Sequence, residues 1–143
     1  MILDAQLQFS DSQAITAAAG STNTIDLGVV GGRDIGTGSP LYVVINVEVA
    51  LSGAGEALTV ALEGDTTTTF TPDATENLGV IPALTAIGAK FYYRLDPASA
   101  PLQYRYIRLL YTPTTGLTTG TISAHLTHNV DRSKLFADNI TIS

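Results

Sequence analysis

The two histidines of the chain, His125 and His128, stand three residues apart. To grip a metal together they would have to share one side of a strand, and residues at that spacing point to opposite faces unless a bulge intervenes. They read as surface or edge histidines. Glu63, Asp65, Asp73 and Glu76 fall within one segment that could offer oxygens to calcium. The segment lacks the alternating acidic loop, central glycine and closing glutamate of a calcium site, so a solvated acidic rim is expected. A serine nucleophile needs a sharp G-x-S-x-G elbow, and Gly38-Ser39-Pro40 places proline where the elbow's helix would begin.

The glycine-rich stretch from Gly28 to Gly38 is followed by no helical pattern and carries no Lys-Ser or Lys-Thr pair, so it reads as a structural loop and not as a phosphate cradle. Tyr92, Tyr93, Tyr104, Tyr106 and Tyr111 could form a sugar-stacking platform, but alternation sends some inward and pairs others across strands. We expect no catalytic residue, no cofactor and no metal.

Composition narrows the partners. The 143 residues are 45% hydrophobic and 14% charged, a balance suited to a folded globule with one core. Net charge is −6 with only seven Lys and Arg, too few for a broad phosphate-binding face, so nucleic acid is not an expected partner. With no cysteine there is neither a disulfide nor a zinc–thiolate site. The opening Met1-Ile2-Leu3-Asp4-Ala5-Gln6 lacks a basic and an apolar signal region, and no run of about 18 apolar residues occurs; a soluble protein without a membrane partner is expected.

The elements that would carry these residues are strands. From Leu41 to Ala50 the odd positions are apolar through Val49, the two-residue period of a sheet with one buried face. After Ser52-Gly53-Ala54-Gly55, Leu58, Val60 and Leu62 alternate with polar or small residues, which predicts a hairpin. Thr66 to Thr71 is expected as a short polar strand, and Asn77 to Ile81 as a weaker one. Ala89, Phe91, Tyr93 and Leu95 alternate up to Asp96-Pro97. Ile107, Leu109 and Tyr111 share a face, as do Ile122, Ala124 and Leu126, and these two runs are expected to pair as a second hairpin. With Leu3 to Phe9 and a short strand at Thr24 to Leu27, about eight strands result. This is an all-β chain, a single β-sandwich domain over 1–143 of jelly-roll kind, with N-terminal (1–10) and C-terminal (131–143) arms as an option.

Gly31-Gly32-Arg33-Asp34-Ile35-Gly36-Thr37-Gly38 before the strand Leu41 to Ala50 carries a resemblance, as does Tyr104-Arg105-Tyr106-Ile107-Arg108-Leu109-Leu110-Tyr111-Thr112 leading into Thr121-Ile122-Ser123-Ala124-His125-Leu126. Together with the opening residues Met1 to Asp11 they resemble the capsid cement protein family of short-tailed Bordetella bacteriophages. The resemblance implies a jelly-roll-like virion protein, made in the bacterial host cytoplasm, that sits as a dimer on the outside of an icosahedral capsid. There it clamps neighbouring subunits of the major capsid protein against internal DNA pressure. A homodimer is expected and a trimer is an alternative.

The resemblance implies no catalytic residues and brings no motif that fixes which residues touch the shell. The apolar residues Leu3, Leu7 and Phe9 at one end and Leu135, Phe136, Ile140 and Ile142 at the other, with Arg132 beside the latter, are instead nominated as interface residues, with strand addition as one physical mode. Two other readings stand beside this one. A carbohydrate-binding module would show a concave aromatic row, and a small sandwich enzyme would have to bring Glu48, Glu63 and Asp65 into one cleft.

Overall fold

A computed structural model describes residues 5–28, 41–53, 57–82, 85–114 and 117–127. Among these residues, after a 3-10 turn at Ala5–Leu7, come nine strands: β1 (Gln8–Ala14), β2 (Ala19–Gly20), β3 (Ile25–Asp26), β4 (Leu41–Ser52), β5 (Ala57–Asp65), β6 (Ala74–Pro82), β7 (Lys90–Leu95), β8 (Tyr106–Pro113) and β9 (Thr119–Thr127). Sheet A has the order β1-β9-β4-β7; sheet B has β2-β8-β5-β6, with β3 also paired to β8. No helix among the described residues is long and apolar enough to cross a membrane.

The pairing is nested. β1 lies against β9, β2 and β3 against β8, β4 against β7, and β5 against β6, all antiparallel. A long hairpin wrapped around a core gives this pattern, which is the jelly roll. Both expected hairpins are therefore corrected. β4 pairs with β7 and β9 while β5 pairs with β6 and β8, and β8 and β9 belong to opposite sheets. Alternation marks which face of a strand is buried, but two strands facing the same core from opposite sheets show the same alternation as two hairpin partners.

The core is built from those faces. Val43, Ile45 and Val47 of β4 and Ile122, Ala124 and Leu126 of β9 meet Leu58, Val60 and Leu62 of β5 and Ile107, Leu109 and Tyr111 of β8, none more than 5% exposed. Each large apolar side chain removed from water in this way contributes about 1.5–3 kcal/mol before entropy is counted. Val49 departs from the expected pattern: a register shift between Val47 and Val49 turns it outward to 45% exposure, and Leu51 takes the next core position. Tyr111 reaches from β8 across the core to β1, where its hydroxyl lies 2.7 Å from Ser10 Oγ.

Two glycines mark close approaches. A Cβ on Gly79 would lie 2.6 Å from Tyr93 Cε1, so the ring of β7 lies directly against β6 where the two outermost strands of the sheets meet. A Cβ on Gly64 would lie 2.4 Å from the carbonyl oxygen of Pro101, in the 3-10 turn Ala100–Gln103. That turn buries Pro101 and Leu102 at one end of the sandwich. The segment Thr66 to Thr71, expected as a strand, is a turn instead, and Phe70 adopts a left-handed φ of 47° with 8% exposure.

Candidate functional site

The chemistry-bearing residues lie on the outward faces of the two sheets, where alternation must put whatever the core rejects. On sheet B, Glu63 and Asp65 of β5 are only 3% and 2% exposed, which corrects the expected solvated rim for these two, while Asp73 is exposed and Glu76 partly so. Arg108 of β8, paired with Glu63 in register, donates from Nε to Glu63 Oε2 at 2.6 Å, and its guanidinium lies 4.4 Å above the Phe70 ring. Asp65 Oδ1 accepts from the Thr67 amide at 2.7 Å and the Thr67 hydroxyl at 3.1 Å. The Thr67 amide is the main cause holding this carboxyl below the usual aspartate range, with smaller help from the Thr67 hydroxyl and the amides of Thr71 and Thr66. Asp65 Oδ2 is buried without a well-formed hydrogen bond. Asp73 accepts from the amide and hydroxyl of Thr66, both at 3.4 Å, and Glu76 accepts the hydroxyl of Ser99. Asp65 and Asp73 thus hold the turn between them. Among the described residues no three His, Asp or Glu gather as a metal site.

The outward face of sheet A is different. Register places Arg94, Tyr42 and Thr127 in one row across β7, β4 and β9, Tyr92, Val44 and His125 in the next, and Lys90, Asn46 and Ser123 in the third. Tyr92 is 37% exposed, whereas Val44, at 1%, forms a buried floor between its cross-strand neighbours. His125 is pushed below its ordinary pKa first by burial and then by the charge of Lys90. Beyond the third row, Glu48 accepts from Ser12 Oγ and Ser123 Oγ, each at 2.5 Å. These two hydroxyls, Ser12 foremost, hold the Glu48 carboxyl below the usual range.

Glu48 therefore stands on the face opposite Glu63 and Asp65, and the three carboxylates proposed for a cleft do not converge. The tyrosines also separate. Tyr111 is in the core and its phenol is raised by burial, Tyr93 packs on Gly79, Tyr106 lies 5.1 Å beneath the Arg105 guanidinium, and Tyr92 alone of them is among the exposed large apolar side chains. Arg105 is held by a bidentate pair with Asp26 at 3.0 and 2.9 Å.

Of the nominated interface residues, Phe9 is corrected: it is fully buried in the core, because β1 turns it inward, and so cannot be an exposed contact. Leu7 is half-buried against the same core. Leu3, Arg132, Leu135, Phe136, Ile140 and Ile142 lie outside the described residues, as does His128. Sequence reading did not single out Arg108, Phe70, Lys90 or Arg94 as site residues. Their only signal was an outward position on an alternating strand, and the partner strand that gives each its meaning is far away in sequence.

An all-β jelly-roll sandwich with one outward face occupied by its own turn and another bearing aromatic and basic side chains is the class that fold and site define. The chain belongs to the Bbp16 family, whose profile matches residues 9–126, from the buried Phe9 to Leu126 near the end of β9. None of the curated proteins matches it.

Proposed function

We propose that this chain is a structural virion protein that binds the outer surface of an icosahedral phage capsid and stabilises the shell by bridging major capsid protein subunits. The observation that carries the reading is the family membership across almost the whole sandwich, under a family name that fits a Bordetella phage protein. The fold is compatible with it, since jelly rolls recur among viral capsid proteins. In this reading the chain acts by binding and not by catalysis, in keeping with carboxylates that face opposite sides and are held by serine, arginine and threonine partners. It works as a closed oligomer, most simply a dimer, with any arm formed by 131–143 adding to shell or dimer contacts.

The test is the solution mass of the purified chain by light scattering, followed by co-sedimentation with shells stripped of their outer proteins. An oligomer that pellets with shells in fixed ratio supports the reading. A chain that ignores every shell but is retained on a glycan array moves the function to carbohydrate binding, for which Tyr92 and Tyr42, in adjacent rows of sheet A, are the candidate aromatic pair.

A further inference from the structure

The nine side chains of the three rows across β7, β4 and β9 include two permanent cations, Lys90 and Arg94, one histidine, His125, and two tyrosines, Tyr42 and Tyr92, but no carboxylate. This is a departure from the chain as a whole, which has 13 acidic residues against seven basic ones. The other two described arginines of the sandwich, Arg105 and Arg108, are both bound to carboxylates. Lys90 and Arg94 have no ion pair among the described residues. Two carboxylates flank the rows: Glu48 is turned into its hydrogen bonds with Ser12 and Ser123, and Asp96, beside Arg94, accepts from the Ala98 amide at 2.9 Å.

Strand spacing makes this grid about 10 by 14 Å, which matches the central cluster of a protein interface and not its full extent. Tyr and Arg are also the residues most enriched in such clusters, where a ring supplies contact area and a charge supplies orientation. Lys90, Tyr92 and Arg94 alternate along β7, the outermost strand of sheet A, so a partner can approach them from the sheet's side as well as its face.

We propose that this grid is the shell-contacting surface, and that its partner is an acidic patch on the capsid protein, set against Lys90 and Arg94 with Tyr92 between them. The proposal rests on the reading given under Proposed function, which supplies the shell. Charge complementarity selects an acidic partner, and the exposed ring of Tyr92 requires one with apolar or aliphatic area beside the acids.

The test uses the full chain with stripped shells. The double variant Lys90→Glu/Arg94→Glu should bind at least roughly tenfold more weakly, because like charges now face each other across the contact. Wild-type binding should weaken as salt rises from about 0.05 to 0.5 M, as the screening length shortens. Tyr92→Ala should weaken binding without changing its salt dependence. Thr112→Glu, an exposed change on the outward face of sheet B, should leave binding intact. Thermal melts confirm that each variant is folded. If wild-type protein binds shells and the double variant binds equally well, or if Thr112→Glu is as damaging, the grid is not the contact surface. If wild-type protein does not bind shells at all, the functional reading itself fails and takes this one with it. Retention of the wild type on heparin without shell binding, lost in the double variant, would keep the basic surface but overturn its assignment to a coat protein.

Discussion

The outward faces of the two sheets solve the same problem in opposite ways. On sheet B the charges are settled within the chain: Glu63 meets Arg108, Arg105 meets Asp26, and the turn 66–73 brings Phe70 beneath the Arg108 guanidinium. On sheet A, Lys90 and Arg94 stand without ion pairs among the described residues, beside a tyrosine left 37% exposed. A charge whose desolvation is already offset by a fixed partner has little left to give to another molecule. An unpaired surface cation costs the fold almost nothing and remains available. Low stability value on one face and high on the other is therefore what distinguishes a contact surface from a structural one.

The sharpest way to break this contrast is Arg108→Ala. It strands the buried Glu63 carboxylate, and we expect a loss of about 3 kcal/mol, at the low end for a buried pair because the Arg108 side chain is 25% exposed. Urea denaturation would show it, and a loss below about 0.5 kcal/mol would mean that the pair behaves like a surface bridge. Next comes Gly64→Ala, where the new Cβ meets backbone at Pro101 that cannot swing aside; about 2 kcal/mol is expected, read as a lowered midpoint at unchanged slope. Tyr111→Phe removes the hydroxyl shared with Ser10 while keeping the ring, and should cost about 1 kcal/mol in the same assay.

Lys90→Ala and Arg94→Ala together should change stability by less than about 0.5 kcal/mol, and a larger change would show that these cations have a structural role after all. The smallest effect concerns protons. Glu48 has its folded pKa depressed by Ser12 and Ser123, so its contribution is present above the ordinary value of 4.5 and is lost as pH falls through the depressed folded value. Ser123→Ala should move the Glu48 carboxyl back toward 4.5 in an NMR titration, and an unmoved resonance would remove Ser123 as a cause.

How far these faces could be read from the residues depends on the range over which each fact is encoded. The inward residues of β4, β5, β8 and β9 follow from alternation, which is local, and they occupy the core as expected. Strand partnership is not local. The same apolar period at Leu58 to Leu62 suits a hairpin with β4 or a place in the opposite sheet, and the jelly roll takes the second course. Val49 escaped because a bulge breaks the period without any glycine or proline to announce it. Phe9 is buried although its alternation suits an exposed contact, because an alternating terminal strand looks alike whether its apolar side meets a partner or its own core. The row Tyr92, Val44, His125 joins three strands through pairings 48 and 81 residues apart, so no local pattern could have displayed it.

The place of β9 in sheet A, between β1 and β4, bears on how the chain is made. During synthesis β1 and β4 emerge early, yet each waits for a neighbour that leaves the ribosome only after residue 119 has been added. Until then the nascent chain carries two open strand edges with apolar inner faces, a state prone to pairing with other chains. Closure of sheet A is thus a late event, and a product truncated before β9 should accumulate as aggregate and not as a smaller folded protein.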